Sequence, residues 1–199
     1  MLREIRPAVT IMLALTVLCG LAYPLLVTGI AQAVFAYQAN GSLVVRDRQV
    51  TGSALLGQNF STPRYFHGRP SATTDTDPAD ASKTIPAPYN AANSSGSNLA
   101  PTAKALVDRV AADVEALHRD APGVKVPADL VTTSASGLDP DLSPEAALAQ
   151  VRRVAAARGL AEARVWALVQ RSVQQRMLGV LGEKRVNVLE LNLALDALK

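Results

Sequence analysis

The sequence predicts an α+β protein: a single N-terminal transmembrane helix over residues 1–37, then one mostly helical extracytoplasmic domain over residues 38–199 with a small strand-and-loop portion. Three observations predict it. Ala8 to Val45 contain no Asp, Glu, Lys or Arg, three later segments carry apolar stripes at helical spacing, and turn-forming residues crowd the stretch between.

Leu, Val, Ile and Ala dominate Ala8 to Phe35. At about 1.5 Å per residue such a helix is roughly 42 Å long, more than a ~30 Å hydrocarbon layer needs, so one tilted or kinked span fits. Pro24 interrupts it, with Gly20 and Gly29 on either side, and a neighbouring helix would satisfy the backbone groups that Pro24 frees. Gly29 and Ala33 form a small-x-x-x-small pair that lets another helix approach closely. The competing reading is a cleaved signal peptide at Ala31-Gln32-Ala33, but the apolar run is about twice the usual length of a signal core. Arg3, Arg6 and the free amine on the short flank, set against Arg46 and Arg48 after the span, favour an amino terminus in the cytoplasm. Cys19, the only cysteine, precludes an internal disulfide and reads as a buried thiol.

Leu43 to Phe66 mixes β-branched and aromatic residues with Gly52, Gly57 and Pro63, which suggests short strands and turns. Residues 71–98 show no periodic apolar pattern and read as a long loop. Leu106, Val110, Val114 and Leu117 then mark an amphipathic helix with His118 at its end and Pro122-Gly123 beyond it. A second helix starts at Ser143, with Pro144 in its first turn, and stops at Gly159. A third runs from about Ala161 to Leu178, with Gly179 and Gly182 at its close. Over 187–198 alternating leucines suggest a strand, whereas helix-forming composition and Asn187 as a cap favour a helix.

Composition excludes several functions. Without Arg3, Glu4 and Arg6, 18 basic residues face 16 acidic ones, which gives no broad case for nucleic acid. His67 and His118 stand far apart and no cysteine follows the span, so no metal site is expected. Lys83-Thr84 lacks the glycines of a phosphate-binding loop, and Ser134-Ala135-Ser136-Gly137 lacks the first glycine of a nucleophile elbow; no catalytic residue is expected. Asn-x-Ser triplets at Asn40, Asn59 and Asn93 are weak signals. Between Arg152 and Arg185 eight basic residues meet only Glu162 and Glu183, read either as a solvated helix face or as a contact surface for an acidic partner or lipid headgroups. A span without ionisable residues is not by itself an ion pathway.

Several motifs follow one another along nearly the whole chain. They are Gly52-Ser53, Leu56-Gly57-Gln58 and Phe60, then Tyr65-Phe66-His67-Gly68-Arg69-Pro70-Ser71, Tyr89-Asn90 and Gly96-Ser97-Asn98-Leu99. Ser134 to Pro140, Gln150, Arg153-Val154-Ala155, Ala157 to Leu160, Val186 to Leu189 and Leu191 to Asp196 complete the series. In this order, behind this span, they resemble the C subunits of bacterial Kdp potassium-transporting ATPases. The resemblance implies an inner-membrane accessory subunit whose partners are a potassium-conducting subunit and a P-type ATPase subunit, with a small single-span subunit as an optional third. It further implies either a catalytic chaperone that raises the ATPase subunit's affinity for ATP or a cap over the external potassium entrance. In the first case ATP is bound only jointly with the ATPase subunit, with Gln58 and Gln150 as candidate contacts. In the second, the arginine-rich helices face away from the mouth, and reversing the charge of Arg153 and Arg164 leaves potassium affinity unchanged. Arg69, Asn98, Asp139 and Asn192 are candidates for either fold-internal hydrogen bonds or subunit contacts. The alternative is a free single-pass envelope module that binds or senses without a pump.

Overall fold

A computed structural model describes residues 2–120, 123 and 125–198, and the chain divides into two compact units, Met1–Ser53 and Ala54–Lys199. In the first, α1 (Leu2–Val17) continues through a π-helical turn (Leu18–Ala22) into α2 (Tyr23–Val34), giving the one helix among the described residues long and apolar enough to cross a membrane. The π turn answers Pro24, which has no N–H to donate. One residue earlier, Tyr23 N–H bonds to Leu18 O, five positions back. The ladder is thus reset where proline would otherwise break it. The helix runs unbroken through Ala31-Gln32-Ala33. A short turn, α3 (Ala36–Ala39), leads into an antiparallel hairpin, β1 (Leu43–Arg46) with β2 (Gln49–Ser53), which groups with the helix rather than with the domain that follows.

The second unit opens in extended chain and then forms the hairpin β3 (Thr74–Asp77) with β4 (Asp80–Pro86), paired Thr74 to Pro86. Residues 71–98 are therefore not a bare loop. Its strands escaped the sequence pattern because their side chains are mostly exposed on both faces, so no apolar alternation marks them. The turn forms because the Asp77 carboxylate accepts from Ala79 N–H beside Pro78. Helix α4 (Lys104–Asp120) covers the expected amphipathic segment, with His118 in its last turn; Pro122, read as a stop signal, lies outside the described residues.

The core is built by the C-terminal third. A two-residue strand, β5 (Asp141–Leu142), precedes α5 (Pro144–Ala149), whose N-cap Ser143 accepts from Ala146 N–H at 3.1 Å. The expected second helix breaks at Gln150 and resumes as α6 (Val151–Arg158), ending at Gly159 with φ +66°, a left-handed cap. Helix α7 (Glu162–Ser172) stops six residues short of the predicted Leu178. Val173 is extended, and Gln174 and Arg185 exchange two backbone hydrogen bonds, so cross-chain pairing prevails over the helix propensity of Gln174 to Leu178. Strand β6 (Val186–Asn187) pairs with β5, and α8 (Val188–Asp196) begins where the Asn187 side chain accepts from Glu190 N–H at 3.0 Å. The 187–198 segment is thus mainly helical. Phe66, Leu142, Val151, Val154, Val165, Leu168, Val169, Val186, Leu191 and Leu195 form the apolar core.

Candidate functional site

Phe66 to Ser71 cross the domain in extended form, and this segment carries the site. An extended strand without strand neighbours must find other partners for its N–H and C=O groups. Two side-chain amides supply them. Asn192, on the buried face of α8, accepts from Phe66 N–H and donates to Phe66 O, both at 2.9 Å. Gln150, at the break between α5 and α6, accepts from His67 N–H at 2.8 Å and donates to His67 O at 3.0 Å. Each amide thus mimics one residue of a paired strand. The remaining capacity of Gln150 is also used: its oxygen accepts from Arg153 Nη2 at 2.6 Å and its nitrogen donates to Ala146 O at 3.3 Å.

The arginines of α6 overturn part of the reading from charge. Arg153 and Arg158 do not form a solvated face. Arg153 donates to the carbonyls of Pro63 and Tyr65 at 2.8 and 3.1 Å. Arg158 donates to Arg64 O, pairs with Asp196 at 2.7 Å and stacks over the Tyr65 ring at 4.7 Å. Both clamp residues 63–65 against the core, leaving Arg152, Arg164 and Arg171 exposed.

Downstream, Arg69 pairs with Asp139 at 3.1 Å and reaches Thr132 and Thr133, joining the extended segment to the Ser134–Pro140 turn. That turn closes on itself through Ser134 Oγ accepting from Gly137 N–H and Ser136 Oγ accepting from Leu138 N–H. Gly137 has φ +67°, and a Cβ there would lie 2.7 Å from Ser95 O, so only glycine fits. The Tyr89 hydroxyl donates to Arg69 O at 2.7 Å. Burial, reinforced by the negative charge of Asp139, pushes that hydroxyl up to about 12. Its ring fills a slot opened by Gly57 and Gly68, where an added Cβ would lie 2.4 and 2.3 Å from tyrosine atoms. Burial likewise raises the Asp141 carboxyl against the opposing pull of Arg185, 3.2 Å away.

A cleft of about 450 Å³ opens beside the segment, bordered by Phe60, His67, Arg69, Tyr89, Asp113 and Arg153. The His67 ring nitrogen contacts Thr62 O at 2.8 Å, and among the described residues no cluster of His, Cys, Asp and Glu offers a metal site. A larger groove of about 990 Å³ beside Trp166 mixes Lys125 and Arg152 with Asp129, Glu145 and Glu162 and converges on no single chemistry.

Of the residues singled out by sequence, Arg69, Asp139, Asn192 and Gln150 meet around one extended segment. Gln58 is half-buried in the chain leading to it, with its carbonyl accepting from Phe60 N–H. Asn98 stands apart, exposed, with φ +50°. Gly29 and Ala33 lie four residues apart on α2, and nothing comes within 4 Å of a Cβ placed at Gly29. Sequence reasoning missed Tyr89 with its glycine slot and the inward clamps Arg153 and Arg158. A signal for the amides was present: Gln150 and Asn192 interrupt apolar helix faces, where a polar group needs a buried partner.

A family model described as KdpC, K+-transporting ATPase, c chain, matches residues 5–197. A protein of Rhodopseudomonas palustris (strain BisB18) described as a potassium-transporting ATPase KdpC subunit is 65% identical over 199 residues, covering all of both chains. Proteins with the same description from Methylobacterium nodulans and Methylorubrum populi are 64% and 62% identical over 198 residues, covering 100% of this chain and 98% of theirs.

Proposed function

The chain belongs to the KdpC family, the c chain of K+-transporting ATPases, and from that premise we propose that it is the membrane-anchored accessory subunit that stabilises an ATP-driven potassium pump and sits over the outer mouth of its potassium path. The observation that carries this reading is the extent of the match. Residues 5–197 take in the membrane helix and the whole domain, so anchor and domain serve one assembly. Arg3 and Arg6 hold the amino end inside, which puts the domain outside, across the bilayer from ATP. Its partners are a potassium-conducting subunit and a P-type ATPase subunit; any nucleotide is held jointly with the latter.

The site supports action by docking rather than by chemistry. Gln150 has two acceptances and two donations within the fold, so the amide read as a nucleotide contact is already engaged. Arg69, Asp139 and Asn192 are likewise engaged in rigidifying the extended segment. Rigid carbonyl and amide dipoles suit the rim of a cation path, where exposed arginines would repel potassium.

The test is to measure potassium-stimulated ATP hydrolysis by the complex purified through a tag on this chain, with and without charge reversal at Arg152 and Arg164. Arg153, the other residue suggested by sequence, is replaced by Arg152 because its side chain clamps the fold. Unchanged apparent potassium affinity supports the placement of the arginine-rich helices away from the mouth. A clear shift contradicts it.

A further inference from the structure

Between α7 and β6 the chain leaves the domain as an arm that buries almost nothing. Gln174 and Arg185 pair at its base, and Met177 and Leu181 pair near its tip, exchanging two 2.9 Å backbone hydrogen bonds. Leu178, Gly179 and Gly182 all have positive φ, which fixes a tight tip, and an Arg176–Glu183 ion pair spans the neck. Arg185 is tied to Gln174 and to Asp141. The arm is thus held in shape, yet Met177, Leu178, Val180 and Leu181 are 69%, 86%, 74% and 56% exposed. Four neighbouring aliphatic side chains facing solvent on a preformed turn mark a contact surface.

Resting on the accessory-subunit reading above, we propose that this arm plugs into an aliphatic, acid-rimmed pocket on the outer face of a membrane-embedded partner chain of the pump. Charge favours that occupant: with Arg176 paired to Glu183 and Arg185 to Asp141, Lys184 leaves the collar around the tip at +1, which matches an acidic rim. A bilayer surface fits less well, because residues 173–185 contain no aromatic side chain of the kind that seats segments at the lipid interface. A second copy fits less well again, because a tip-to-tip pairing brings two positive collars together. Methionine and leucine at the tip adapt to a pocket's shape and bury much area for few ordered bonds.

The test replaces Leu178 with the photo-crosslinker p-benzoylphenylalanine in the full chain, expressed with its native neighbours, and identifies the adduct after irradiation of membranes. An adduct with another chain of the pump, at a residue outside the bilayer, supports the proposal. A lipid adduct, a self-adduct, or no adduct in a complex that still co-purifies overturns it while leaving the accessory reading intact. A wild-type chain that recovers no partners overturns both. In parallel, L178D together with V180D is expected to lower partner recovery by roughly tenfold or more, as loss of a central anchor does. The unfolding midpoint followed by Trp166 fluorescence stays unchanged, because the tip touches no core residue; equal recovery with an unchanged midpoint counts against the plug.

Discussion

Replacing Asn192 by Leu tests the claim that side-chain amides, rather than a sheet, hold the Phe66 segment. Asn192 is 1% exposed and Phe66 is fully buried, and two 2.9 Å hydrogen bonds join them. Leucine keeps the branching of asparagine in a larger side chain but leaves Phe66 N–H and C=O without partners where water does not reach. Each unsatisfied buried group costs about 1–3 kcal/mol, so the pair costs about 4 kcal/mol, offset by about 1 kcal/mol from the added apolar burial. A net loss of about 3 kcal/mol should lower the melting temperature of a domain this size by roughly 6–12 °C. The assay is urea unfolding of the full chain in detergent, followed by Trp166, the only tryptophan, which is half-exposed on α7 and responds to loss of the core. Glu115→Gln, exposed on α4, serves as the control and should stay within about 0.5 kcal/mol. A loss under about 1 kcal/mol for N192L, with the Phe66 amide still protected from hydrogen exchange, would mean that the Asn192 amide does not hold the Phe66 segment.

Three further outcomes follow from the same geometry. The Tyr89 hydroxyl, raised from 10.0 to about 12 in the fold, contributes stability that is complete below pH 10 and lost as pH climbs to 12. The loss reaches about 2.7 kcal/mol at most, and Tyr89→Phe should abolish that alkaline slope in pH-dependent unfolding. Gly68→Ala should cost about 1–3 kcal/mol because its Cβ would sit 2.3 Å from the Tyr89 oxygen. Adding Tyr89→Phe should recover part of this, since the next atom lies at 3.3 Å; a double-mutant cycle with no coupling would contradict the slot. Arg153→Gln, which strips the clamp on Pro63 and Tyr65, should destabilise by about 2 kcal/mol in urea, whereas Arg152→Gln should stay within about 0.5 kcal/mol.

Local chemistry made much of this fold legible. Ser143 and Pro144 announced the start of α5, Gly159 the end of α6, and Asn187 the cap of α8, because each acts within one turn of its own position. The apolar run and Pro24 foretold the membrane helix, though not the π turn by which the backbone accommodates proline. What stayed hidden depends on partners distant in sequence. Hairpin β3–β4 has no apolar alternation to read, and the arm after Ser172 is set by Gln174 meeting Arg185 eleven residues later. The arginines of α6 look alike in sequence, yet Arg152 faces out while Arg153 and Arg158 turn inward, because the carbonyls of residues 63–65 lie there. Sequence brought Arg69, Asp139, Gln150 and Asn192 to notice as motif members. Their common task, holding one extended segment, becomes visible only when positions 70 to 126 residues apart are brought together by folding.

If this chain is an accessory subunit of a potassium pump, material purified from membranes through a C-terminal tag on it hydrolyses ATP in response to potassium. A P-type ATPase and a potassium-conducting chain should co-purify, with hydrolysis that rises on addition of potassium. A chain recovered alone without such activity, or one clipped after Ala33, would contradict the accessory-subunit reading.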